Sequence, residues 1–165
     1  MSKYVQMYCG TGKGKTGAAL GRGIQEACGG KTVYIIRFLK GKETGDTEFL
    51  KRLEPELKIF SFDKFRGGFA VLTEEEKAEE RIHLQTGLTF ARKVMTTGEC
   101  DVLILDEILD LGRNGVVKVD DLIPLIEKAG ENMELILTGT DQCISLWPYM
   151  DKVTEVKTMS EKPQE

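Results

Sequence analysis

Short apolar runs closed by glycine or polar residues alternate along this chain with longer stretches whose apolar positions fall three and four apart. Six of the short runs read as strands: residues 4–8, 32–38, 57–62, 101–107, 134–139 and 152–156. The second of them is rich in β-branched residues and nearly continuous, as a strand buried on both faces should be. Helices are predicted between the runs. The first covers residues 15–28 and stops at Gly29-Gly30. A short one over 49–53 breaks before Pro55. A long one follows the capping box Thr73-Glu74-Glu75-Glu76 and carries Leu84, Leu88, Ala91 and Met95 on its apolar face. Residues 119–129 form another, led by Asp120 and Asp121 and closed at Gly130, and a short helix surrounds residues 144–150. Residues 157–165 are polar and read as a frayed tail. Strands alternating with helices predict one three-layer α/β domain over residues 1–156, with a mostly parallel six-stranded sheet.

One junction in this pattern carries chemistry. The first strand runs into Cys9-Gly10-Thr11-Gly12-Lys13-Gly14-Lys15-Thr16, which opens directly into the first helix. Strand, glycine-rich turn, Gly-Lys-Thr and helix are the context of a phosphate-binding loop. Glycines let successive backbone N–H groups turn inward on an anion, and the helix N-terminus adds partial positive charge. Lys15 would reach the terminal phosphates, and the Thr16 hydroxyl would ligate Mg²⁺. The usual pattern places one more glycine at the start; Cys9 holds that place, so the loop counted from Gly10 is one residue short.

A parallel sheet presents functional groups at the carboxyl ends of its strands. The fourth run delivers Asp106 and Glu107 there. An acid at that position holds Mg²⁺, directly or through water, so that the metal neutralises phosphate charge. The acids stand beside the phosphate loop if the first and fourth strands are neighbours. Loops at Lys40-Gly41 and Thr138-Gly139-Thr140-Asp141 leave the same edge.

Composition narrows the partners. The chain has 165 residues, 30% of them charged, and a net charge of −4 with no basic block, which argues against nucleic acid or a membrane surface. No apolar run approaches the ~20 residues of a membrane span, and the chain enters its first strand with no room for a signal peptide. Cys9, Cys28, Cys100 and Cys143 show no metal-ligand spacing and read as free thiols of a cytoplasmic protein. Cys9 reads as a packing residue beside the loop. His83, the one histidine, has no ligand partner at helical spacing and reads as a surface or boundary residue.

In these motifs the chain resembles the ATP:corrinoid adenosyltransferases of cobalamin synthesis and salvage. The short loop Gly10–Thr16 is the most specific part. The likeness continues through Arg37-Phe38-Leu39-Lys40-Gly41, Leu105-Asp106-Glu107, the helix near Asp120 to Ile126, Leu135-Ile136-Leu137-Thr138-Gly139 and Met150-Asp151-Lys152-Val153-Thr154-Glu155. It implies a RecA-like sheet, commonly a homodimer, and transfer of the 5′-deoxyadenosyl group of ATP to a reduced corrinoid, with triphosphate leaving. It also implies ATP bound in reversed orientation and an electron donor for cobalt. Carried over, Gly10, Thr11, Gly12, Lys13, Gly14, Lys15 and Thr16 bind triphosphate, and Thr16 with Glu107, Asp106 beside it, holds Mg²⁺.

The chain departs from the family in three places. Thr138-Gly139-Thr140 stands where members often have Thr-Gly-Arg. Gly68-Phe69-Ala70-Val71 is the nearest text to a Gly-Phe-Thr-Trp run on the corrinoid side, which leaves Phe65 and Phe69 as the aromatic candidates there. The longer members carry an N-terminal extension that can cover the site, whereas this sequence reads as starting at its first strand. Two other readings stay open on the residues themselves: a P-loop kinase or nucleotidase acting on a small molecule, and a nucleotide-gated binding protein without chemistry.

Overall fold

A computed structural model describes residues 2–39, 45–65 and 68–164, with residues 45 and 46 described by their backbone alone. The predicted loop over Lys40-Gly41 and the pair Arg66-Gly67 lie outside the described residues. Six strands form one sheet: β1 (Tyr4–Cys9), β2 (Val33–Arg37), β3 (Leu57–Ser61), β4 (Val102–Asp106), β5 (Glu134–Thr138) and β6 (Lys152–Glu155). Their spatial order is β3-β2-β4-β5-β1-β6. Every pairing is parallel, where the sequence predicted a mostly parallel sheet. All carboxyl ends therefore open on one edge.

The helices that connect these strands are α1 (Lys15–Cys28), α2 (Gly45–Leu50), α3 (Glu74–Thr97) and α4 (Ile123–Glu127). Two apolar clusters hold the three layers of this α/β RecA-like fold together. One face of the sheet packs Ile35, Ile104 and Ile136 against α1 through Ala19, Leu20 and Ile24. The other packs Met7, Ile36, Leu103 and Leu105 against Leu84, Leu88, Ala91 and Met95 of α3 and Leu125 of α4. The four α3 residues are the face that the spacing predicted, and burying each contributes about 1.5–3 kcal/mol relative to leaving it in water. Strands with apolar residues on both faces have no polar side to show, which is why β4 and β5 are buried at every position.

Differences from the predicted elements sit at helix ends. The predicted helix over 119–129 is a 3-10 turn (Val119–Leu122) followed by α4, whose second residue is Pro124. Proline has no N–H to give a preceding turn, so the α-helix starts there. The predicted helix over 49–53 begins earlier, at Gly45, and tightens to 3-10 over Lys51–Leu53. The short helix at 144–150 is 3-10 throughout, over Ile144–Tyr149. His83 is half-buried on α3. All four cysteines are free. No helix of the described residues is long and apolar enough to cross a membrane.

Candidate functional site

The loop between β1 and α1 is shaped from two directions. Gly10 and Gly14 have φ of 107° and 106°, the left-handed region that L side chains avoid. The chain leaving β6 also lies against the loop. Gly12 N–H donates to the Val156 carbonyl at 2.8 Å. A Cβ on Gly12 would stand 2.8 Å from the Lys157 nitrogen, and one on Gly10 would stand 2.5 Å from the Val156 oxygen. The first residues of the predicted tail thus pack on the loop, and further on Glu161 reaches exposed Lys13 at 3.6 Å. On its other flank, Gly10 N–H donates to Thr140 O at 3.1 Å, and Gly139 N–H donates to Tyr8 O at 3.2 Å.

Gly14 caps α1 with no side chain, and the first turn carries no acid. The start of α1 is thus left without a side-chain cap, an arrangement that suits an anion. Lys15 folds back, its Nζ 2.6 Å from the Gly12 carbonyl.

The first and fourth strands are not neighbours, because β5 lies between β1 and β4. The loop still reaches the acids by crossing over the end of β5. Thr16 Oγ1 donates to Asp106 Oδ1 at 2.8 Å, and Thr138, the last residue of β5, donates to the same oxygen at 2.8 Å. Asp106 is 1% exposed, and Arg37 Nε lies 4.0 Å from its other oxygen. Arg37 is itself buried and donates to Thr47 Oγ1 at 2.9 Å. Such a desolvated acid is tolerable because a cation and two hydroxyls surround it.

Glu107 is different. It is half-buried and sits at φ 65°, unusual for a residue with a long side chain, with its N–H held by Thr138 Oγ1 at 2.8 Å. Lys15, Thr16, Glu107, Asp110, Thr138 and Thr140 line one cleft of about 290 Å³, together with Lys13, Gly14 and Gly139. Asp110 fixes the far wall, accepting the N–H groups of Thr140 at 2.9 Å and Asp141 at 3.0 Å.

Mg²⁺ suits this donor set. Thr16, Asp106 and Glu107 offer hard oxygens, and among the described residues no group of three or more His, Cys, Asp or Glu makes a cage. A site with one or two carboxylates that leaves the other positions to phosphate and water is how Mg²⁺ is usually held.

The aromatic candidates separate. Phe62 belongs to the core, its ring 5.5 Å from that of Phe90. Phe65 is half-buried beneath the Lys64 ammonium (5.3 Å), with its N–H on Glu80 Oε2 at 3.3 Å. Phe69 opens a 3-10 turn (Phe69–Val71) and lies under the Arg81 guanidinium at 5.3 Å. Between them and β3 lies Asp63, buried, with neither carboxylate oxygen hydrogen-bonded. Burial pushes its carboxyl up to about 6; Glu80 adds to the shift and Arg37 opposes it. Burial also raises the Cys9 thiol, with Glu155 adding to the effect, so Cys9 is a protonated packing residue.

Another groove, of about 420 Å³, lies on the α1 side of β1 and β6. Its buried acid, Glu134, is already held by Arg22 at 2.9 and 3.0 Å and by Gln6 at 2.9 Å. The sequence reading placed Thr138 in a loop at the carboxyl edge and Arg37 in the family likeness but gave neither a role, and it missed Asp110. A charge closing an otherwise apolar strand was the one available signal for Arg37; the other two depend on which strands meet.

An all-parallel three-layer sheet with its loop and acids converging on one carboxyl edge defines a RecA-like α/β protein. The family model described as ATP:corrinoid adenosyltransferase BtuR/CobO/CobP matches residues 1–164, and the chain belongs to that family. It is 21% identical over 152 residues to the corrinoid adenosyltransferase of Escherichia coli K12, covering 92% of this chain and 74% of that one. It is 22% identical over 152 residues to the corrinoid adenosyltransferase CobA of Salmonella typhimurium, with the same coverage. An uncharacterized protein of Nostoc sp. is 30% identical over 169 residues; the match takes in 94% of this chain, which spans 44% of that protein's length.

Proposed function

We propose that this protein transfers the 5′-deoxyadenosyl group of Mg-ATP to the Co(I) centre of a reduced corrinoid and releases triphosphate. The observation that carries the reading is the hydrogen bond from Thr16 of the loop to buried Asp106 across the end of β5, in a chain matched by the family model over its length. The electron pair of Co(I) attacks the ribose 5′-carbon, a cobalt–carbon bond forms, the C5′–O bond breaks, and triphosphate leaves with that bond's electrons. Cobalt is itself the nucleophile, so no side chain has to supply one. An electron donor must first bring cobalt to that state.

The chain's residues act on the leaving group. The N–H groups of Gly10–Thr16 and the Lys15 ammonium hold the triphosphate and stabilise the charge it gains as C5′–O breaks. Thr16 and Asp106 would hold Mg²⁺, with Glu107 on the cleft wall as the second acid, and the ion would supply neutralisation of phosphate charge. ATP bound in reversed orientation, its adenosine directed away from the loop, presents C5′ to the acceptor and gains most of its rate from proximity. Phe65 and Phe69 belong to the acceptor side.

The test supplies the protein with ATP, Mg²⁺ and a chemically reduced corrinoid, and follows the adenosyl–cobalt spectrum and the phosphate product. Triphosphate should form one-for-one with the adenosyl corrinoid. ADP or orthophosphate appearing without a cobalt–carbon bond would replace this reading with a kinase or a phosphatase.

A further inference from the structure

Asp106 stands behind the wall of the phosphate cleft, and the fold already addresses both of its oxygens. Oδ1 accepts from two hydroxyls of that wall, Thr16 and Thr138, at 2.8 Å each. Oδ2 faces the guanidinium of Arg37 at 4.0 Å. Arg37 owes its place to the sheet. It ends β2, in register with Asp106 on one side and with Ser61 of β3 on the other. Its Nη1 donates to buried Thr47 of α2 at 2.9 Å, which fixes the head of the side chain. At 3% exposed, Arg37 carries a charge that solvent ions screen little.

Arg37 does not line the cleft, yet it bears on what the cleft can hold. Among the described residues each acid there is matched by a cation. Asp110 has Arg113 at 3.1 Å, Glu107 shares the cleft with Lys15, and Asp106 has Arg37. Asp63 and Glu80 are buried on the β3 side of Arg37 and line no part of the cleft. A small divalent cation gives up its water reluctantly and needs surplus negative charge to do so. In the empty cleft it would find that surplus cancelled, with a buried like charge directly behind its carboxylate. The triphosphate brings the surplus with it.

We propose that Arg37 is a positioning residue that gates the metal: by holding Asp106 it keeps a divalent cation off the empty cleft, so that the ion enters with the triphosphate and departs with it. The inference rests on the Mg-ATP reading of the cleft and deepens it. Asp106, balanced by Arg37, has no claim on an ion that leaves with the product. A purely structural Arg37 would offset the burial of Asp106 and do no more. The two roles separate cleanly, because removing a support loses binding whereas removing a gate creates it.

Mn²⁺ is the probe, since water-proton relaxation reports manganese held on a macromolecule. The whole chain is titrated without corrinoid, with and without ATP, in wild type, Arg37→Gln and Arg37→Lys. Wild type should hold Mn²⁺ only when ATP is present. Arg37→Gln should hold it without nucleotide, its affinity raised by about 10- to 100-fold over wild type, as a like charge is lifted from beside a buried carboxylate. Arg37→Lys keeps the charge and should return close to wild type. Equal Mn²⁺ binding by wild type with and without ATP overturns the gate and leaves adenosyl transfer standing. So does a folded Arg37→Gln that gains no nucleotide-free binding. Should that variant fail to fold, the wild-type titrations and Arg37→Met, uncharged and similar in length, carry the same two outcomes. Absence of bound Mn²⁺ even with ATP overturns the Mg-ATP reading itself.

Discussion

The two long helices begin in opposite ways. α3 closes its N-terminus with its own chain: Thr73 accepts the Glu76 N–H at 3.2 Å, Glu76 accepts the Thr73 N–H at 2.8 Å, and Glu74, Glu75 and Glu76 fill the first turn. α1 starts at a bare glycine with no side-chain cap and no acid in its first turn. The same orphan N–H groups and the same dipole exist at both ends. At α3 they are satisfied internally and the helix is stable as it stands. At α1 no side chain caps them and no acid stands in the first turn, and the cation of Lys15 is added, as the proposed triphosphate would require. What separates the proposed binding end from the structural end is the absence of the ordinary stabilisers.

The largest effect should come from removing the cation at the open end. Lys15→Ala should lower kcat/KM for ATP by about 30- to 1,000-fold, since a charge-assisted contact to phosphate typically contributes about 2–4 kcal/mol. Nucleotide affinity by titration calorimetry and turnover with reduced corrinoid check it. Unchanged affinity and turnover would make Gly10–Thr16 an ordinary turn and dissolve the contrast with α3.

Next comes the acid that the open end leans on. Asp106→Asn withdraws charge from an oxygen accepting both Thr16 and Thr138 and from the neighbourhood of Arg37. Disturbing a buried charge pair costs about 3–5 kcal/mol. Part of that should appear as lower thermal stability and part as a raised Mg²⁺ requirement. Glu107→Gln, on the half-buried cleft wall, should raise the Mg²⁺ requirement by about tenfold with the fold intact. A Mg²⁺ titration of both variants decides which acid is closer to the metal. A larger loss for Glu107→Gln would make it the direct ligand.

The contrast also marks what the sequence could reveal. The strand–turn–helix around Gly10–Thr16 was legible because it is a local object: strand, glycines, lysine and helix are consecutive. The α3 cap was legible for the same reason, its two partners three residues apart. Thr138 was not, because its role exists only once β5 is inserted between β1 and β4, and strand order is not written in any one segment. Phe65 and Phe69 were legible as aromatics in a loop, but their overlying cations belong to tertiary structure.

The smallest predicted effect tests the region between β3 and the closed end of α3. There a carboxyl is buried with neither oxygen hydrogen-bonded, unlike Asp106 beside the open end, which accepts from two hydroxyls. Asp63 holds its proton up to about pH 6 because it is desolvated, with Glu80 adding and Arg37 opposing. An unfolded aspartate releases its proton near pH 3.9. Below about pH 4 both states are protonated and the group is neutral in each. Between about 4 and 6 the unfolded chain ionises while the fold does not, so this group removes stability as pH rises, and the loss is constant above that range. At ~1.4 kcal/mol for each pH step over which only the unfolded chain is ionised, the loss is at most about 3 kcal/mol. Asp63→Asn removes the titration while keeping the shape. Relative to wild type, its unfolding free energy should therefore gain with pH between 4 and 6 and level off above 6, with ATP affinity unchanged. Chemical denaturation at half-unit steps of pH measures this directly. A difference that stays flat with pH, with the variant less stable at neutral pH, would show Asp63 to be ionised and held by Arg37, and the region beside α3 to be as charge-paired as the site around Asp106.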